Sequence, residues 1–225
     1  MCGRYSQTAD AGKLARRFGL EPPGPGFFSR YNIAPSQDAP VIAGDAPKNL
    51  RLMRWGLVPA WAKEASIGHR MINARAETVA EKPSFRRAFE SRRCLAPADG
   101  FYEWRKLEGS RAKIPMRFVL KSREPFAFAG LWDIWRKPDS GELRSFTIIT
   151  TAANELLRPI HDRMPVILRP EDEEKWLDPG LSDPNRLSSF LKTYPAEEME
   201  AYEVSTRVNS PKNDDPACLT PAQPR

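Results

Sequence analysis

At 225 residues, with 40% hydrophobic and 28% charged, the chain suits one sizeable domain and is neither disordered nor fibrous. No apolar run is long enough to span a membrane and no signal-peptide core opens the chain, so a cytoplasmic protein is expected. Basic residues outnumber acidic ones by 35 to 29, and arginine dominates them; its planar fork suits phosphate oxygens, which places nucleic acid among the candidate partners.

Cys2, Cys94 and Cys218 are odd in number and far apart, which argues for a reducing compartment without disulfides. His69 and His161 stand at no ligand spacing, so neither a metal site nor any other cofactor is expected.

In chain order, residues 2–6 read as a strand, and Thr8 as the N-cap of a helix with Ala11, Leu14 and Phe18 on one face, ending near Gly19. Residues 21–26, rich in Pro and Gly, form a loop, and Tyr31–Pro35 an extended segment entering a turn. Pro40–Ala43 and Leu50–Trp55 look like a hairpin, and Gly56–Trp61 like a loop exposing apolar residues. Met71–Thr78 suggests a strand turning into a helix start, and Ser84 begins a short helix. Strands over Arg92–Pro97 and Phe101–Lys106 join at the turn-rich Ala98-Asp99-Gly100. Further strands are expected at 115–121, 125–132 and 143–151, a brief helical stretch at 153–157, and an apolar run at 166–168. Two surface helices (171–177 and 185–194), a last strand at 203–205 and an irregular tail from about 206 complete a single domain.

Five residues stand out chemically. Cys2 follows Met1, so removal of Met1 would create a 1,2-aminothiol, whose amine condenses with an aldehyde and whose thiol then closes a five-membered thiazolidine. The alternative is a small buried hydrophobe opening the first strand. Glu103 shares a strand face with Phe101 and Arg105; apolar surroundings would raise its pKa and fit it for acid–base work, whereas a rim position would simply pair it with Arg105. His161, between two prolines and near Arg163, suits proton transfer, or else a tight turn. Asn73 and Arg75 face one side of an extended segment, an amide and a guanidinium two residues apart. Trp61, Pro35 and Phe85 could stack on or wedge bases, while Trp55, Trp104 and Trp132 read as core and His69 as surface.

Taken together, Met1-Cys2-Gly3-Arg4-Tyr5, Tyr31-Asn32-Ile33-Ala34-Pro35, Trp55-Gly56-Leu57-Val58-Pro59 and Ile72–Thr78 resemble the SOS response-associated peptidase (SRAP) family of abasic-site processing proteins. Arg93–Trp104, Ile160–Pro165 and Val208-Asn209 continue the resemblance, which runs in order over essentially the whole chain. It implies a compact, β-rich, barrel-like and mainly antiparallel α+β fold with short peripheral helices and a basic cleft for single-stranded DNA. It further implies a thiazolidine crosslink between Cys2 and an abasic deoxyribose. Glu103 would shuttle protons in formation and reversal, His161 would assist at the sugar oxygens and Asn73 would hold the opened sugar. Arg4, Arg75 and Arg163 would bind phosphates, with Pro35, Trp61 and Phe85 against bases. The family's name adds peptidase activity, with Met1 as intramolecular substrate. The expected protein is a nucleoid-associated monomer, with replication-fork proteins as further partners. The rival readings are an N-terminal-nucleophile amidotransferase or hydrolase using the Cys2 thiol, and a nucleic-acid-binding module without chemistry, which leaves Cys2, Glu103 and His161 unexplained.

Overall fold

The computed structural model describes residues 2–22, 24, 26–110, 112–137 and 141–222. Strands β1 (Tyr5–Gln7), β2 (Arg30–Ile33), β7 (Gly100–Lys106), β8 (Lys113–Leu120) and β12 (Met199–Glu203) form one sheet, in the order β12-β8-β7-β1-β2 and antiparallel throughout. The second sheet contains β3 (Asp38–Ala43), β4 (Leu50–Trp55), β5 (Asn73–Arg75), β6 (Arg93–Ala98), β9 (Phe126–Lys137), β10 (Gly141–Ala152) and β11 (Arg163–Pro165). Because β9 pairs with both β6 and β10, and β10 also pairs with β4, the path β10-β4-β3-β6-β9 closes on itself as a barrel. Among the described residues, four short helices lie outside: α1 (Ala11–Phe18), α2 (Arg86–Ser91), α3 (Pro170–Leu177) and α4 (Pro184–Ser188). None of the helices among the described residues is long and apolar enough to cross a membrane.

Strand periodicity divides the barrel's side chains between two cores. Val41, Cys94, Ala96, Phe126, Phe128 and Ile148 face one cluster, shared with Cys2, Tyr5, Phe101 and Phe118 of the other sheet. Their neighbours Ile42, Leu95, Ala127, Ala129 and Ile149 face the second cluster and pack under Leu14, Phe89, Trp176 and Leu187 of the helices. The continuous apolar runs are thus strands buried on both faces. Pro40 and Pro97 fit within them because β3 and β6 pair only at Ile42↔Leu95 and Ala43↔Cys94, beyond either proline.

Several local expectations change. The N-cap of α1 is Asp10, whose carboxylate accepts from the Lys13 N–H, and Thr8 instead bonds Asp99 through its N–H and hydroxyl, both at 2.5 Å. Leu57, Val58 and Pro59 are buried, leaving Ala60 and Trp61 exposed, because the Val58 N–H is taken by Ser145 and the Leu57 N–H by the Met71 carbonyl. Residues 76–80 and 155–160 form turns rather than helices. Ala98-Asp99-Gly100 carries the chain from one sheet to the other instead of closing a hairpin. Arg117 braces that corner against Asp99, and Gly100 leaves room for it, since a Cβ there would lie 2.8 Å from Arg117 Nε and push the guanidinium aside. The last strand comes earlier, at Met199–Glu203. In the tail, 3-10 turns at Thr206–Asn209 and Pro216–Leu219 bury Val208 and Cys218.

Candidate active site

Cys2 precedes β1 and is fully buried, at 0% exposure. The Tyr102 N–H donates to the Arg4 carbonyl at 2.9 Å, which brings this leading segment alongside β7 and Glu103. Asn73 arrives from the other sheet, opposite Ile148 in a parallel pairing of β5 with β10. With Ala74 turned into the second core, Asn73 and Arg75 face the other way, and Asn73 Nδ2 donates to the Cys2 carbonyl at 2.8 Å. That bond ties the cysteine to the barrel. The Asn73 Oδ1 is buried with no hydrogen-bond partner among the described residues, a free acceptor beside Cys2.

Glu103 is 7% exposed, on the face it shares with Phe101, which stacks on Phe118. Burial raises its carboxyl pKa, against the lowering pull of His161 and Lys113. The Cys2 thiol is pushed up by burial first and by the Glu103 charge second, so it is held as S–H rather than thiolate. His161 closes a turn, its N–H bonded to the Leu157 carbonyl at 3.0 Å. Its Nδ1 accepts from the Arg163 N–H at 2.9 Å, which leaves Nε2 to carry the ring proton. Asp162, 3.0 Å from Nδ1 and solvent-exposed, pairs with the ring only when it is protonated.

The arginines are placed unequally. Arg75 is exposed. Arg163 makes a bidentate pair with Glu77 (2.6 and 2.9 Å) and donates to the Thr150 carbonyl, and this pairing holds the Glu77 carboxyl below its ordinary range. Arg4 is committed inward, with Nη1 donating to Asn32 Oδ1 and the Val208 carbonyl, each at 2.8 Å. Trp61 is 60% exposed, Pro35 half-buried, and Phe85 only 8% exposed, within the second core. Trp55 and Trp132 lie in the core, Trp104 is half-buried against the tail, and His69 is at the surface beside Ser36 Oγ (3.0 Å). A cleft of about 750 Å³ between α1 and α3 is lined by none of Cys2, Asn73, Glu103 or His161.

The fold thus gathers Cys2, Asn73, Glu103 and His161 from four separate stretches of sequence. Sequence reasoning assigned no role to Asn32, Val208 or Asn209, although each lies in a motif quoted for the resemblance. Asn32 gives a signal once its neighbours are known, since its amide is fully buried and spends Nδ2 on three carbonyls of the tail.

A family model described as SOS response associated peptidase (SRAP) matches residues 1–211. The abasic site processing protein YoqW of Bacillus subtilis is 50% identical over 97% of this chain and 99% of its own length. The abasic site processing protein HMCES of Gallus gallus is 34% identical, over 86% of this chain and 66% of its own. A crystal structure of a Bacteroides thetaiotaomicron protein superposes with a TM-score of 0.89 at 33% identity, covering 99% of this chain and all of the other.

Proposed function

This chain belongs to the SOS response associated peptidase family, and from that premise we propose that it processes abasic sites in single-stranded DNA by forming a covalent crosslink through Cys2. The observation that carries the reading is the convergence of Asn73, a buried carboxyl and a histidine on the cysteine that follows Met1. The names of the relatives supply the substrate class.

Hydrolysis of the Met1–Cys2 peptide bond frees the Cys2 α-amine. The amine attacks C1′ of the open-chain aldehyde, forming a C–N bond as the carbonyl oxygen gains a proton. Glu103, kept protonated to higher pH by burial, gives its proton to the departing hydroxyl, and water leaves as the imine forms. The Cys2 Sγ then adds to the imine carbon and its proton passes to nitrogen, closing the thiazolidine with one water lost overall. A thiol held as S–H fits this order, amine first and sulfur second, and disfavours the amidotransferase reading, which needs a thiolate to attack first.

Asn73 Oδ1 accepts from the opened sugar and His161 Nε2–H donates to its oxygens. Arg75 and Arg163 take flanking phosphates, Arg163 by exchanging its pair with exposed Glu77. Arg4 adds positive potential from its inward position, and Trp61 and Pro35 meet bases, with a smaller contact from Phe85.

Mixing the chain with single-stranded DNA carrying one abasic site gives an adduct that survives denaturing electrophoresis, whereas intact DNA gives none. Equal adduct from Cys2→Ala overturns the reading.

A further inference from the structure

The Val208-Asn209 pair is not used by the chemistry above, yet it touches both strands that deliver it. Trp104 follows Glu103 in β7, and its indole N–H donates to Asn209 Oδ1 at 2.8 Å. The Arg4 guanidinium, two residues from Cys2, stands 5.6 Å from the centre of the same indole and donates to the Val208 carbonyl. Adjacent tail residues therefore grip Arg4 on the Cys2 side and Trp104 on the Glu103 side.

The tail is itself anchored to β2. Asn32 Nδ2 donates to the carbonyls of Val208 (3.1 Å), Ser210 (3.0 Å) and Asn213 (2.7 Å), and Asp214 accepts from the Tyr31 and Asn32 N–H groups and from Arg30. The tail adds a further hold at the end of β7, which pairs with β8 as far as Lys106↔Lys113 and carries Arg105 in an ion pair with Glu203, while Trp104 stays half-buried.

We propose that Asn209 is a positioning residue for the Cys2 site: through Trp104, and with the Val208 carbonyl on Arg4, the C-terminal segment fixes the distance between the Cys2 nucleophile and the Glu103 carboxyl. The inference rests on the crosslinking reading for its activity readout only. The Trp104–Asn209 bond is reached by solvent, so its loss changes stability little. A displacement of about 1 Å in a reacting group slows chemistry strongly, by up to about 100-fold. Stability and rate therefore separate.

The test compares wild type with Asn209→Ala, Asn209→Asp, Trp104→Phe and the N209A/W104F double variant. At saturating abasic single-stranded DNA, N209A and W104F each form adduct about 10-fold more slowly than wild type. The double variant is no slower than either, because both remove the same bond. N209D, which keeps an acceptor oxygen, stays near the wild-type rate. Affinity for intact single-stranded DNA is unchanged in all four, and the melting temperature of N209A stays within about 3 °C of wild type.

A second measurement needs no DNA. Alkylation mapped by peptide mass gives faster labelling of Cys2 in N209A and W104F, with Cys94 unchanged. Wild-type adduct and labelling rates in N209A overturn the proposal, as does an equal loss in N209A and N209D that follows a lowered melting temperature. If wild type forms no adduct, the abasic-site reading fails and the labelling of Cys2 still decides the clamp.

Discussion

The helical side of the barrel and the Cys2 side treat buried polar groups in opposite ways. On the helical side, buried Arg93 spends its whole guanidinium: Nε donates to the Trp176 carbonyl, Nη1 to those of Phe89 and Glu90, and Nη2 to those of Asp178 and Leu181. Nearby, Glu173 receives a bidentate bond from Arg17 at 2.8 and 3.0 Å. Around Cys2, Asn73 Oδ1, Arg4 Nε and Arg163 Nε are buried without a hydrogen-bond partner among the described residues, and the Glu103 carboxyl is held in a desolvated setting that opposes its charge. Saturated polar groups hold a fold together; unsaturated ones lower its stability and are kept where a ligand can complete them. One side is built for cohesion and the other for reaction.

The sharpest way to break that contrast is Arg93→Ala. It removes a donor from five carbonyls, among them those ending α2 and α3, of which only that of Asp178 keeps another bond among the described residues, from the Leu181 N–H, so urea denaturation should show a loss of about 4 kcal/mol. The variant should still form adduct at temperatures where it is folded. A loss below about 1 kcal/mol would mean the helical side is not what holds the structure.

Glu103→Gln tests the reactive side with the opposite sign. The folded-state pKa of Glu103 lies above the unfolded value of about 4.3, so the folded chain binds this proton more tightly and stability falls as pH rises through that interval. Glutamine removes the effect. At neutral pH the variant should be more stable than wild type by about 1 kcal/mol, the gain vanishing below about pH 4, while adduct formation is lost. Denaturation curves across pH check the sign, and a destabilised variant at neutral pH would contradict it.

The smallest effect belongs to Trp61→Ala. Its exposed side chain predicts a stability change within about 0.5 kcal/mol, and its stacking role predicts single-stranded DNA binding weaker by about 1 kcal/mol, read by fluorescence anisotropy. Unchanged affinity would remove Trp61 from the interface.

Much of this was legible in the sequence because it depends on local pattern. Period-2 alternation places Phe101 and Glu103 on one face and Tyr102 and Trp104 on the other, as observed. The β3–β4 hairpin follows from two apolar runs around a polar turn. The N-cap was misplaced because Thr8 and Asp10 are both capping residue types, and it is Asp99, some 90 positions away, that claims the Thr8 N–H and hydroxyl. The tail's anchoring was missed because its link to the strands is long-range: the Val208, Ser210 and Asn213 carbonyls accept from Asn32, and that of Val208 also from Arg4, which no nearby spacing reveals. For the site, each residue was visible singly as an unusual type in a turn-flanked place, and the family resemblance supplied their roles. That Asn73 grips the Cys2 carbonyl, and that Arg4 turns inward, depend on how two sheets meet.

The central claim is that the Cys2 amine and thiol both bond to the sugar carbon. Peptide mass spectrometry of the denatured adduct tests it most directly. The account predicts an N-terminal peptide beginning at Cys2 whose mass equals peptide plus sugar fragment less one water, with fragmentation placing the modification on Cys2. An adduct on a lysine or on Cys94, or one retained in full by Cys2→Ala, would contradict it.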